Sequence, residues 1–199
     1  FRSRYYVDTT FPTQTGTVRT VPTTANAATN GQAFQAAIDA AQPGDTIVLQ
    51  AGATYQGNFY FRNKPAMGNT SWILITSSAY SSLPPQGQRV QVADRALMPE
   101  LVSVNAMAVF TTEPASHGYW LAGLFVYQAS TYTPDSINGT PVHYNYGLVE
   151  LGGNVASQDT MAEVPNRFVI DRCYFYGGPY DNTKRAVNLN SGWSAVVDS

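Results

Sequence analysis

An internal repeat in the second half of this 199-residue chain constrains its fold more than any other feature. Residues 119–126 can be laid over residues 168–175, and residues 195–199 begin the same pattern a third time. A matching strand-and-turn pair follows each of the first two copies, at residues 148–153 and 187–192. Because repeats of this kind bury their apolar faces on their neighbours, the chain is predicted to form a β-solenoid.

A β-sandwich is the competing interpretation of the many short β-type runs. In a sandwich, hairpin turns of the Asn-Gly type should separate neighbouring strands. Asn138-Gly139 is the only such pair between predicted strands, since Asn30-Gly31 stands at the start of a predicted helix. Hairpins are therefore not the dominant connection, and the solenoid is favoured.

One amphipathic helix is predicted, beginning at Asn30 as its N-cap and ending before Pro43-Gly44. Its apolar residues recur at i, i+3, i+4 and i+7, which gives one stripe over about three turns. These residues are Phe34, Ala37, Ile38 and Ala41. Residues 1–29 are rich in Thr, Pro and Ala without such a period, so we expect an extended N-terminal arm, in which residues 5–7 are a candidate edge strand.

Composition and charge argue against two classes of partner. The formal net charge is -2, and 11 basic residues are scattered along the chain, so no basic stripe suits a phosphate backbone. Apolar runs such as residues 119–127 fall far short of the roughly 20 residues that span a bilayer. We therefore expect neither nucleic-acid binding nor a membrane span. Cys173, the single cysteine, is predicted to be a buried small hydrophobe.

Residues 34–61 read FQAAIDAAQPGDTIVLQAGATYQGNFYF and resemble the opening segment of the pectate-lyase-like superfamily. The resemblance rests on the helix, the Pro-Gly-Asp-Thr-Ile corner and the Ala-Gly-x-Tyr turn. It implies an all-β fold, a right-handed parallel β-helix (solenoid) with an N-terminal capping α-helix. The expected organisation is an arm over residues 1–29, then the cap and first coils over residues 30–199.

Residue Ser199 falls within the third copy of the repeat, so the last predicted strand has an open edge. Unpaired strand edges are rare in natural proteins. We expect this edge to be covered by more of the same chain beyond residue 199 or by another protomer.

Within the superfamily, the segment looks most like the chondroitinase-B and alginate-lyase branch. This resemblance implies a secreted or cell-surface, carbohydrate-active protein, a polysaccharide lyase or glycoside hydrolase acting on acidic glycans. Its catalytic residues would lie on later coils that this chain does not contain. Non-catalytic adhesins share the same opening segment, so a surface or filament-forming structural module is the alternative, because fold alone does not fix function.

Asp171 and Asp198 are the candidate metal ligands, because they occupy equivalent places in the predicted repeat. On adjacent coils their carboxylates would stand about 4.8 Å apart and could share Ca²⁺, which prefers several oxygen ligands. The alternative is that Asp simply suits the bend at this turn position.

Three basic and two aromatic residues are candidates for substrate binding. Arg172, Lys184 and Arg185 could bind an acidic sugar, or they could be solvated turn residues. Tyr174 and Tyr176 could stack on sugar faces, or they could form an outward aromatic ladder that stabilises parallel coils.

Overall fold

The computed structural model describes residues 9–64, 71–129, 143–153, 158–178 and 181–199. Its helices are α1 (Ala27–Ala40) and two short 3₁₀ helices, Tyr80–Ser82 and Val92–Leu97. The strands are β1 (Val18–Thr20), β2 (Thr46–Leu49), β3 (Thr54–Gln56), β4 (Phe59–Phe61), β5 (Ile73–Ser77), β6 (Glu100–Ser103), β7 (Phe110–Thr112), β8 (His117–Ala122), β9 (Phe125–Gln128), β10 (His143–Asn145), β11 (Val149–Leu151), β12 (Asn166–Asp171), β13 (Tyr174–Tyr176), β14 (Asp181–Thr183), β15 (Val187–Leu189) and β16 (Ser194–Val197).

The strands form four sheets, and every strand pair among the described residues is parallel. Sheet A has the order β1-β2-β5-β8-β12-β16, sheet B β13-β9-β6-β3, sheet C β15-β11-β7-β4, and sheet D β10-β14. Along the chain, strands enter sheets A, B and C in that order four times, and sheet D is added in the last two passes. Each strand pairs with the strand of the following pass, so the β-rich, parallel part of the predicted fold is confirmed.

The helix was predicted correctly, but its N-cap was placed four residues too late. Its N-cap is Asn26, whose Oδ1 accepts hydrogen bonds from the backbone N–H groups of Ala28 and Thr29, both at 3.0 Å. Asn30 lies inside the helix, where it is buried and donates to the Thr54 carbonyl at 2.9 Å. The predicted boundary between arm and cap therefore falls within α1. Residues 5–7 lie outside the described residues.

Inward-facing side chains stack in register from one pass to the next. The repeat pairing was correct for its first two copies, since Tyr119 lies opposite Phe168 in the β8–β12 pair. One such column crosses all of sheet A except β1. It consists of Ile47, Ile75, Leu121, Ile170 and Val196.

For the third copy, the predicted register was wrong by one residue. Ser194 lies opposite Phe168, and Asp171 lies opposite Val197 rather than Asp198. The corner after each strand fixes this alignment, because Arg172 and Asp198 both have the left-handed backbone conformation, with φ of 47° and 52°. The prediction aligned Asp171 with Asp198. In the structure, Asp198 instead occupies the position of Arg172, the residue at the corner after β12.

The helix packs against the core with aromatic contacts. Phe34 is fully buried, and its ring centroid lies 4.7 Å from that of Phe59 and 6.0 Å from that of Tyr55. Gly31 lets the helix approach β3 closely, since a Cβ there would lie 2.0 Å from the Gln56 carbonyl oxygen. The helix therefore packs directly on the first strands of sheets B and C.

Apolar clusters also cover the outer faces of two sheets. On sheet A, Trp120 and Val169 pack against Phe11 and Trp72. On sheet B, Phe125 packs against residues of the segment 80–98. These two outer faces are therefore interior surfaces of the folded chain.

Asp45, just before β2, connects the N-terminal segment to the first corner. Its carboxylate accepts from the backbone N–H groups of Thr17 (2.7 Å) and Gln42 (2.9 Å) and from Arg19 Nε (3.0 Å). Burial by itself raises the pKa of Asp45, but these hydrogen bonds outweigh burial and hold the pKa below its ordinary value of 3.8. The ionised carboxylate is thus the form that the fold stabilises.

We expect Phe34→Ala to lower the free energy of unfolding by about 3–5 kcal/mol, because it leaves a cavity between the helix and the sheets. Gln32→Ala, on the exposed face of the same helix, is the matched control and should change it by less than about 0.5 kcal/mol. Urea unfolding followed by circular dichroism measures both. Equal stability of the two variants would mean that α1 does not seal the core.

We expect Asp45→Asn to cost about 1.5–3 kcal/mol at neutral pH, because it removes the charge that three donors face. The folded-state pKa of Asp45 is lowered, so the wild-type advantage is complete above pH 3.8. It should disappear as the pH falls further through the folded-state pKa. Urea unfolding of both proteins at steps from neutral to acid pH measures the difference. A difference that does not shrink in acid would contradict this assignment.

Candidate functional site

An exposed cationic corner lies where the chain passes from sheet D to sheet C. It consists of Tyr146, which follows β10, and Lys184 and Arg185, which follow β14. Because β10 and β14 pair in parallel, the residues after them are neighbours, and the Lys184 N–H donates to the Asn145 carbonyl at 3.0 Å. The strand pairing therefore positions two cations beside one aromatic ring.

The two cations of the corner lie against the ring rather than against a carboxylate. The Arg185 guanidinium carbon is 4.4 Å from the Tyr146 ring centroid, and Lys184 Nζ is 5.7 Å from it. Tyr146 is 50% exposed, and neither cation has an ion pair among the described residues. The corner borders a cavity of about 160 Å³ that Thr183 also lines. An anion with a flat apolar face has the complementary chemistry.

Glu150 on β11 was missed by the sequence analysis. It lies opposite Thr111 of β7 and Asn188 of β15 on the outer face of sheet C. A cavity of about 160 Å³ lies beside Glu150 and Thr111. Burial raises the pKa of the Glu150 carboxyl. The sequence did contain a signal for this site, because Glu150 is a charged residue flanked by the apolar strand residues Val149 and Leu151.

Asp171 and Arg172 form a buried ion pair with each other. Arg172 Nε donates to Asp171 Oδ1 at 2.9 Å, and Arg172 Nη2 donates to Oδ2 at 2.8 Å. The Tyr80 hydroxyl donates to the same carboxylate at 3.0 Å, and Arg172 Nη1 donates to the Pro84 carbonyl at 3.2 Å. Burial and the nearby charge of Asp198 raise the pKa of Asp171 to about 7. Both side chains therefore hold the segment 80–98 against the sheets.

Asp198 makes a different hydrogen bond from Asp171. Its Oδ2 accepts from the Gly87 N–H at 2.6 Å, while its register position matches Arg172 rather than Asp171. The Asp171 oxygens already accept from Arg172 and Tyr80. The predicted equivalence of Asp171 and Asp198 was therefore wrong. Among the described residues, no three or more His, Cys, Asp or Glu side chains form a group that could hold a metal ion.

Tyr174 and Tyr176 belong to an outward aromatic ladder on sheet B. Tyr174 stacks on Phe125 with a centroid distance of 5.3 Å and an interplanar angle of 6°, and Tyr176 lies opposite Tyr127. Tyr176 is 44% exposed. The stacking of Tyr174 fits the structural alternative, and the ladder lies on a different sheet from Lys184 and Arg185.

No protein-family model, curated protein or solved structure matches this chain. Within the described part of the chain, no helix is long and apolar enough to cross a membrane. The chemistry of the residues at the cationic corner and on the outer face of sheet C therefore carries the functional proposals.

We expect Arg172→Gln to lower the free energy of unfolding by about 3–5 kcal/mol, because it leaves Asp171 buried without its counter-ion. Arg185→Gln is the same substitution at an exposed arginine and should cost less than about 0.5 kcal/mol. Urea unfolding at neutral pH measures both. A small effect at Arg172 would show that its guanidinium is free for another role.

Proposed function

We propose that sheets A to D are the faces of a right-handed parallel β-helix that α1 caps at one end. Two findings support this proposal: the strictly parallel pairing and the recurring order in which the chain enters sheets A, B and C. The right hand follows from the general behaviour of parallel crossovers, which are nearly always right-handed. The burial of Phe34 and Ile38 in the main core supports the capping role of the helix.

We propose further that this β-helix belongs to an exported protein that binds acidic glycans at the cationic corner. The observation that carries the proposal is the exposed Tyr146 ring with Lys184 and Arg185 beside it, neither of which forms an ion pair among the described residues. A guanidinium binds a carboxylate through two parallel hydrogen bonds, and an aromatic ring stacks on the apolar face of a sugar. A uronate unit presents both groups at once.

In the enzymatic form of this proposal, the protein cleaves the bound glycan as a polysaccharide lyase or a glycoside hydrolase. A lyase removes the proton beside the uronate carboxylate and then eliminates across the glycosidic bond. The cationic corner would hold that carboxylate in either reaction. The proposal assigns a binding role to Tyr146, Lys184 and Arg185 and names no catalytic residue.

The second candidate is a non-catalytic surface or filament module, a stiff rod without an active site. The contacts of the other candidate residues favour it. Asp171, Arg172 and Asp198 attach the segment 80–98 to the sheets, and Tyr174 serves in ring stacking. These residues stabilise packing, which is what a rod requires.

We expect the wild-type protein to bind hexamers of galacturonate or mannuronate, with affinity that falls as salt is added. Arg185→Gln and Tyr146→Ala should each weaken binding about three- to tenfold, since each removes about 1 kcal/mol of contact energy. Arg185→Gln should also reduce the salt dependence. Isothermal titration calorimetry at low and moderate ionic strength measures these effects.

Lys64→Gln is the matched charge control, because Lys64 lies near α1 and donates to the Asp39 carbonyl, away from the corner. It should leave binding unchanged. Failure of every acidic hexamer to bind the wild-type protein would overturn the glycan proposal and favour the rod. Ultraviolet absorbance of an unsaturated product, followed on the same hexamers, separates a lyase from a non-cleaving binder.

A further inference from the structure

A second group of polar atoms without partners lies on the outer face of sheet C. Glu150 makes no hydrogen bond or ion pair among the described residues, although burial already disfavours its charge. Opposite it, the Thr111 hydroxyl is fully buried and has no hydrogen-bond partner. Buried polar groups in folded proteins are nearly always paired, so the unpaired Thr111 hydroxyl, next to the partly buried Glu150 and a cavity, needs an explanation.

Two other side-chain oxygens that line this cavity already accept a hydrogen bond. Thr112 Oγ1 accepts from the Gly152 N–H at 2.7 Å, and Gln158 Oε1 accepts from the Gly153 N–H at 3.1 Å. Glu150 and Thr111 are the neighbouring lining residues whose side chains make no hydrogen bond among the described residues. Since they are opposite one another on adjacent strands, they stand about 4.8 Å apart at the backbone.

This pair is suited to the hydroxyl groups of a sugar. A carboxylate only accepts hydrogen bonds, whereas a threonine hydroxyl both donates and accepts. Two neighbouring hydroxyls of one sugar unit can donate to the former and accept from the latter. Ca²⁺ would require several oxygen ligands, and the cavity offers one carboxylate.

The cavity adjoins the cationic corner. Tyr146 is followed by Gly147, and a Cβ on Gly147 would lie 3.4 Å from Glu150 Cγ. The Leu148 N–H donates to the Arg185 carbonyl, so the backbone of the corner continues directly into β11. A glycan whose acidic unit contacts Tyr146 and Arg185 can therefore place a neighbouring unit beside Glu150.

We propose that Glu150 and Thr111 form a second glycan subsite, which binds the hydroxyls of a single sugar unit next to the cationic corner. This proposal rests on the proposed function, because it concerns the same bound chain. It assigns the specificity for hydroxyl positions to sheet C and the recognition of charge to Tyr146, Lys184 and Arg185.

Two conservative substitutions test the subsite on the acidic hexamer that binds the wild-type protein most tightly. Thr111→Val removes the hydroxyl without changing shape, and Glu150→Asp keeps the charge but withdraws the carboxylate. Each should weaken binding about three- to tenfold, as expected for the loss of one hydrogen bond. Neither should alter the salt dependence, because the number of charges is unchanged.

Thr76→Val is the matched control, since the Thr76 hydroxyl is also buried without a partner but lies on sheet A. It should not affect binding. Urea unfolding should show Thr111→Val to be at least as stable as the wild type, because it removes an unsatisfied hydroxyl. A clear loss of stability would overturn the premise that this hydroxyl is unpaired.

The two proposals fail in different ways. If Arg185→Gln weakens binding while Thr111→Val and Glu150→Asp bind as tightly as the wild type, the subsite is refuted and the cationic corner stands. If no acidic hexamer binds the wild-type protein, the proposed function fails first, and the subsite fails with it.

Discussion

The parallel stacking of identical positions in successive passes is the constraint on which the rest of the structure depends. Because side chains alternate along a strand, a slip of one residue would turn Leu121 and Ile170 out of the core and expose them to the outer layer. The corners oppose such a slip. Gly123, Arg172 and Asp198 all adopt positive φ directly after β8, β12 and β16, so the chain leaves sheet A at the same place in these three passes.

The parts of the fold that could be predicted from sequence are those governed by apolar periodicity. The stripe through Phe34 and Ile38 identified the helix, and the match between residues 119–126 and 168–175 identified the register of β8 with β12 and of β9 with β13. The start of the helix was not predictable in this way, because Asn26 and Asn30 are equally good N-caps locally. The choice depends on a long-range contact, since the Asn30 amide donates to the Thr54 carbonyl.

The candidate site was predicted less well than the fold, because residue type does not reveal what covers a side chain. Asp171 and Arg172 have the chemistry of a ligand site, but the insertion after β5 brings Tyr80 and Pro84 over them. Glu150 is the converse case, a residue that was not a predicted candidate. Its strand was predicted, but only the pairing with Thr111 shows that two unpaired polar groups lie side by side. Contacts between distant parts of the chain therefore distinguish polar residues that stabilise packing from polar residues that could bind a ligand.

The distribution of the outer layers explains why sheets C and D carry the proposed ligand contacts. Phe11 and Trp72 cover sheet A, and the segment 80–98 covers sheet B, so ligand access there would require the removal of packed apolar side chains. Such removal would expose apolar surface to water and lower stability. In the part of the chain that the structure describes, no comparable apolar cluster covers sheet C. Its outward positions carry the polar residues Thr111, Glu150 and Asn188, so a polar ligand can approach them without displacing a packed apolar layer.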